Sequence, residues 1–291
     1  MPDDPWVSAH VFYHEDLDRL LLDVTAPLVT ELATDGLATE FFFLRYWDGG
    51  PHLRLRVLPT DRAEVERRIR ERFEKYLAFR PAADRTTAEE YAESARWLAG
   101  LEHVARPLDL QPNNSLAFIP YEREHHKYGF GASVEAVERH FAESSRIVLD
   151  LLPVEHHDTA AVAMIMLAWF AGTDDLPVLA DRIRQVPLLP GQPEPVVEHQ
   201  GDRLVELARR MRVLAARWPE INGDGTFLRW ARSTGTLRQT LATQAMPRSV
   251  FGVLNGCAHL VCNRLGVLLA RENELRHRAA AAIGRLAAEG T

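Results

Sequence analysis

The chain has 291 residues, enough for one large domain or two modest ones with a substantial core. Its 46% hydrophobic and 26% charged shares are those of an ordinary globular protein, and 34 Lys+Arg against 41 Asp+Glu leave a net charge of −7. That balance argues against general nucleic-acid binding, which draws most of its affinity from a basic footprint, but it permits a local basic site.

The first 60 or so residues read strand, helix, strand, strand. Val7 to His14 is extended, Leu17 to Leu32 has helical periodicity, and Phe41 to Trp47 with His52 to Leu58 form a hairpin around Asp48-Gly49-Gly50-Pro51. In the second hairpin strand, alternation puts His52, Arg54 and Arg56 on one face and Leu53, Leu55 and Val57 on the other. A four-residue loop would set Trp47 opposite His52, Arg45 opposite Arg54 and Phe43 opposite Arg56. Two facing guanidinium groups about 5 Å apart would repel by roughly 3 kcal/mol at an effective dielectric near 20, so an anion is expected there. The competing reading is a solvated basic row paired with Glu40 or Asp48.

A helix is expected from Arg62 to Leu77, then a short helix among Pro and Asn between Arg80 and Asn114, then a strand from Ser115 to Tyr121. Beyond Gly131 the pattern is helical: Val134 to Leu152, His157 to Phe170, Leu176 to Val186, Gly201 to Arg217, Phe227 to Thr243, and Ser249 to Ala288 with a break. Pro187 to Pro195 reads as an exposed loop. The expectation is an α+β chain of one domain over 1–291. An antiparallel or mixed sheet with packed helices occupies 1–130, and a mainly helical part occupies 131–291.

No stretch reaches the roughly 20 apolar residues needed to cross a bilayer, and the start lacks a charged-then-apolar signal segment. A cytoplasmic protein with no membrane partner is expected. Cys257 and Cys262 lie in an apolar helical stretch at neither a metal nor a redox spacing, and read as core. The histidine pairs His125-His126 and His156-His157 make no metal set, and no phosphate loop or flavin fingerprint is visible, so no metal and no cofactor are expected.

Two further segments carry chemistry. From Val250 to Leu269 the helix is too apolar for a surface, yet Gly252, Asn255, His259, Asn263 and Gly266 recur at three- and four-residue steps. Unpaired buried polar groups cost about 1–3 kcal/mol each, so such a stripe either specifies packing or lines a cavity. Histidine is also the side chain best suited to moving protons near neutral pH. The second segment, Tyr121-Glu122-Arg123-Glu124-His125-His126-Lys127-Tyr128-Gly129, is a dense titratable run that reads either as a solvated loop or as part of a site.

Taken together, Arg45-Tyr46 with Gly50-Pro51-His52-Leu53-Arg54-Leu55-Arg56, the Tyr121 to Gly129 run, and His259-Leu260-Val261-Cys262-Asn263-Arg264 resemble the C-terminal elimination domain of class I lanthipeptide dehydratases and its stand-alone relatives in thiopeptide biosynthesis. The order and spacing agree across nearly the full chain. The resemblance implies a precursor peptide, leader plus dehydrated core, as partner, along with other enzymes of the pathway.

It also implies catalytic roles for His259, Tyr121 and Glu124, and substrate-binding roles for Arg45, His52, Arg54, Arg56, Lys127, Asn263 and Arg264. One branch of the superfamily expels glutamate from glutamylated Ser or Thr, with arginines holding the departing glutamate. The other, the pyridine synthases, joins two dehydroalanines in a formal 4+2 cycloaddition with loss of water and leader peptide. Lys127 stands where eliminating members carry arginine, and a lysine cannot grip a carboxylate with two prongs. That departure, with the length and the lack of a fused glutamyl-transfer domain, favours the pyridine synthase. Elimination, and a non-catalytic leader-binding role, stay open as alternatives.

Overall fold

The computed structural model describes residues 4–102, 106–154, 156–173, 175–184, 201–220 and 222–289. The chain divides into two compact units, the first ending at Arg123 and the second beginning at Glu124. The division falls inside the Tyr121 to Gly129 run.

In the first unit, strands β1 (Val7–Phe12), β2 (Ala38–Tyr46), β3 (His52–Pro59) and β4 (Ser115–Phe118) form an antiparallel sheet in the order β2-β3-β1-β4. One face carries Val7, Ala9, Val11, Phe41, Phe43, Leu53, Leu55 and Val57, all buried. Helices α1 (Leu17–Leu20), α2 (Ala26–Thr34) and α3 (Arg62–Phe79) belong to the same unit; α2 packs on β2, and α3 on β1, β3 and β4. Each large side chain buried in this layer contributes about 1.5–3 kcal/mol.

Asp61 caps α3 by accepting from the Glu64 amide at 3.1 Å, and Val65, Ile69, Phe73 and Leu77 bury its stripe at four-residue steps. The helix expected over Leu17 to Leu32 is continuous in path but widens into a π-turn at Leu21–Thr25 between α1 and α2. Pro27 lacks an N–H and its ring crowds the carbonyl four residues back, and the wider turn relieves both problems.

The hairpin register differs from the expected one. Tyr46 pairs with His52, Leu44 with Arg54, Phe42 with Arg56, and Arg45 with Leu53. The loop is one residue longer than expected because Gly49 and Gly50 both adopt positive φ, +95° and +102°, and the Gly50 amide donates to the Trp47 carbonyl at 2.9 Å. A one-residue shift moves a side chain to the other face, so Arg45 and Arg54 do not confront each other. The loop is held by α4 (Ala88–Glu102): the Gly49 amide donates to the Tyr91 hydroxyl at 2.7 Å, and that hydroxyl donates to the Leu108 carbonyl at 2.9 Å.

The second unit comprises α5 (His125–Tyr128), α6 (Ala132–Leu151), α7 (His157–Gly172), α8 (Leu176–Arg184), α9 (Gly201–Ala216), α10 (Thr226–Ala242), α11 (Val250–Arg264) and α12 (Leu269–Glu289). Every residue of α7 from Ala160 to Ala171 is buried, as expected for a helix apolar all round, and α9, α10, α11 and α12 pack against it. The break expected in the last helical stretch lies at Gly266, φ +76°. Its amide donates to the Asn263 carbonyl and the Val267 amide donates to the Cys262 carbonyl, each at 3.0 Å, the Schellman pattern that ends a helix on a left-handed glycine. This turn starts the path that brings α12 back beside α11. The Pro187 to Pro195 loop and the end of the helix expected to reach Val186 lie outside the described residues. Among the described residues no helix is long and apolar enough to cross a membrane.

Candidate functional site

On the sheet face opposite the helices, β1 contributes Ser8, His10 and Phe12, β3 contributes His52, Arg54 and Arg56, and β2 contributes Phe42 and Tyr46. This is not a solvated basic row: His52 is 0% and Arg56 6% exposed. The His52 Nδ1 lies 2.8 Å from the Gly50 carbonyl oxygen, and its Nε2 lies 3.0 Å from Arg54 Nε. The His10 ring stacks on that of His52 at 5.1 Å between centroids, and Phe12 lies 4.6 Å away. Burial, helped by the neighbouring arginines, lowers His52 to about 4 against the pull of its bond to Gly50, and lowers His10 to about 2. Both rings are neutral at pH 7.

The arginines of this face are held by aromatic rings. The Arg54 guanidinium lies 3.5 Å over the Tyr46 ring. That of Arg56 lies 4.3 Å from the Tyr121 ring centre and 5.3 Å from that of Phe42, cation–π distances both. Tyr121 is buried and its amide donates to Asp4 Oδ2 at 2.9 Å. His52, Arg54, Arg56 and Tyr121 therefore share one neighbourhood. Arg45 is on the other face and pairs with Asp18, the anion that offsets its charge.

In the second unit, α11 buries Val253, Leu254, Cys257, Ala258, Val261 and Cys262, while Gly252, Asn255, His259 and Asn263 are half-buried. The polar stripe is thus the more open side of the helix. Burial pushes the Cys257 thiol up to about 12 and raises that of Cys262 as well, which suits core cysteines.

His259 Nδ1 lies 2.7 Å from Glu272 Oε2. The second Glu272 oxygen accepts from Arg276 Nε at 2.6 Å, and Arg276 NH1 donates to Asn255 Oδ1 at 2.6 Å. That amide oxygen also accepts from Trp169 Nε1 at 2.8 Å. The side chains of Glu272 and Arg276 are 3% and 8% exposed, against 46% for His259. Burial alone would raise the Glu272 pKa, but the bonds and charges of His259 and Arg276 outweigh it and hold the carboxyl below its ordinary value. A carboxylate at Nδ1 fixes the imidazole as its Nδ1–H tautomer and leaves Nε2 for chemistry.

The remaining expected residues are spread over this unit. Lys127 pairs with Glu124, while the His125 ring stacks on Phe130 at 4.3 Å. Asn263 lies one turn beyond His259 on α11. Arg264 is fully enclosed, with NH1 3.2 Å from Ser144 Oγ and its guanidinium 5.1 Å from the Phe141 ring. Among the described residues no three His, Cys, Asp or Glu side chains form a metal-holding group.

Glu272 and Arg276 were not expected. Their signal was present, since 272, 276, 279 and 283 step along one helix face with Ala279 and Ile283, placing two charges on a buried stripe. His10 and Tyr46 carried no expected site role, because only strand pairing brings them beside Arg54 and His52.

Several solved structures share the fold. A pyridine synthase, TbtD, from thiomuracin biosynthesis matches with a TM-score of 0.77 at 20% identity, over 98% of this chain and 99% of that one. MibB, a tRNA-dependent lantibiotic dehydratase from Microbispora sp. 107891, matches with a TM-score of 0.61 at 20% identity over 97% of this chain, which spans 28% of MibB. TsrL matches with a TM-score of 0.61 at 18% identity, over 97% of this chain and 95% of that one. No curated protein matches the sequence. The sequence model of the lantibiotic biosynthesis dehydratase C-terminal family matches residues 6–283, and the protein belongs to that family.

Proposed function

We propose that the protein modifies a ribosomally made precursor peptide bearing dehydroalanines. It joins two of them in a formal 4+2 cycloaddition, then expels water and the leader peptide to leave a pyridine-centred macrocycle. The reaction needs reacting residues brought into line, which can supply roughly 7–11 kcal/mol, and it needs several proton movements. An amide is held as its iminol, a hydroxyl leaves as water, and the departing leader amide takes up a proton.

The observation that carries this reading is the tethered, half-exposed imidazole of His259. One nitrogen is fixed by Glu272, and Nε2 can take a proton in one step and return it in another. The Tyr121 hydroxyl supplies a second proton donor, and Arg54 and Arg56 orient peptide carbonyls. Arg264, fully enclosed, is left with a packing role. Lys127 itself weighs against glutamate elimination, because it stands where eliminating members carry arginine and a lysine cannot grip a carboxylate with two prongs.

The placement of Arg54 and Arg56 on one face of β3 favours a second reading, elimination of glutamate from glutamylated Ser or Thr. Mass spectrometry on two synthetic precursors decides. Release of leader from the dehydroalanine peptide supports cycloaddition, and loss of glutamate from the glutamylated one supports elimination. A protein that binds leader but changes neither mass would have no catalytic role, and both readings would fall.

A further inference from the structure

We propose that Arg276 is a positioning residue for His259, acting through Glu272: its guanidinium keeps that buried carboxyl ionised, so the imidazole carries its proton on Nδ1 and leaves the Nε2 lone pair for the proton steps. The inference rests on the reading that His259 moves protons.

Two pairs of side chains, each one turn apart on its helix, face each other: Asn255 and His259 on α11, Glu272 and Arg276 on α12. One carboxylate oxygen lies 2.7 Å from His259 Nδ1, and the other accepts from Arg276 Nε at 2.6 Å. The side chain of Glu272 is 3% exposed, so water does little to stabilise its charge. Without a countercharge, a carboxyl at such a depth takes up a proton. The neutral acid would donate that proton to Nδ1 and drive the ring to its Nε2–H tautomer, which has no lone pair there to receive another. Arg276 prevents this, because a guanidinium keeps its charge inside a protein.

The guanidinium is itself anchored. NH1 donates to Asn255 Oδ1 at 2.6 Å and NH2 to the Asn255 carbonyl at 3.2 Å, so all three of its nitrogens have acceptors. Asn255 Oδ1 also takes the Trp169 Nε1–H at 2.8 Å. Both partners of that oxygen can only donate, which fixes the amide with its oxygen toward them. Trp169 is 0% exposed, and its ring centre lies 5.8 Å from the guanidinium carbon. Buried and bonded in this way, Arg276 touches no ligand, and its effect on the reaction passes through Glu272.

Three variants and one spectrum test this in the full chain. Arg276→Met keeps the length and loses the charge, so kcat on the dehydrated precursor falls at least about tenfold with KM little changed. Arg276→Lys keeps a cation beside Glu272, and most of kcat is recovered. A folded Arg276→Lys protein as slow as Arg276→Met overturns the proposal. Adding Arg276→Met to Glu272→Gln leaves neither buried charge of the pair behind and costs nothing beyond Glu272→Gln alone, because the carboxylate through which Arg276 acts is gone. Losses that add fully also overturn it.

A nitrogen-15 spectrum of labelled histidines, taken at a pH where the His259 ring holds one proton, gives the Nδ1–H tautomer in the wild type and in Arg276→Lys. Near neutral pH, Arg276→Met carries the ring proton on Nε2. A wild-type ring protonated on Nε2 overturns the proposal, even where Arg276→Met fails to fold. The spectrum needs no substrate. Absence of turnover alongside these tautomers would therefore count against the proposed reaction and not against the role of Arg276.

Discussion

His259 and Glu272 are joined at 2.7 Å across the turn between two consecutive helices, with the imidazole half-exposed and the carboxylate buried. Because Arg276 fills the other carboxylate oxygen, Glu272 has one orientation to offer. The amide of Glu272→Gln would turn its oxygen to Arg276, which only donates, and its NH2 to His259, reversing the ring tautomer. The expected result is a fall in kcat of about 10²–10⁴ with KM little changed, and partial recovery in Glu272→Asp. Steady-state kinetics on the dehydrated precursor would show it; an unchanged kcat would remove His259 from the proton steps.

Acid should destabilise the protein earlier than carboxylate titration alone predicts. Burial, with neighbouring arginines, lowers His10 to about 2, His52 to about 4 and His140 to about 3, against 6.5 for the ordinary side chain. Below 6.5 the unfolded chain therefore binds more protons than the folded one, so stability is full above that pH and drains away as pH falls toward the folded values. Glu272, held below the ordinary carboxylate range, adds a further loss in more acid solution. Thermal melts followed by circular dichroism should show the melting temperature dropping steadily below about pH 6.5; a flat profile down to about pH 4.5 would contradict the buried neutral rings.

Arg264 and His259 are five residues apart on one helix and should respond differently to truncation. Arg264→Ala removes an enclosed cation packed on Phe141 and Ser144 and should cost about 3–5 kcal/mol of stability, with activity lost through unfolding. His259→Ala should remove turnover while the folded state persists. Urea titration of both variants separates them, and a stable but inactive Arg264→Ala would return Arg264 to the substrate.

Gly50→Ala should destabilise the hairpin by about 1–3 kcal/mol, because φ is +102° and the new methyl would lie 2.8 Å from Leu110 Cδ1. The same change moves the carbonyl that holds His52, so kcat/KM should fall along with stability. Chemical denaturation and precursor turnover measured on one preparation check both.

The residues alone marked the elements whose signal is local periodicity. Alternation of His52, Arg54 and Arg56 against Leu53, Leu55 and Val57 marked a two-faced strand, and the structure keeps that division. Helical periodicity placed α3 from Arg62 and the last helical stretch from Ser249 with a break in it, and the structure shows the caps at Asp61 and Ser249 and puts the break at the left-handed Gly266. Tertiary structure decided the pairings. The conformations of Gly49 and Gly50 set the register, which sent Arg45 to Asp18 and put Leu44 opposite Arg54. A return of the chain after Gly266 carried Glu272 to His259 and buried its carboxylate there. Periodicity reports which face a side chain occupies, whereas its partner depends on how elements distant in sequence are brought side by side.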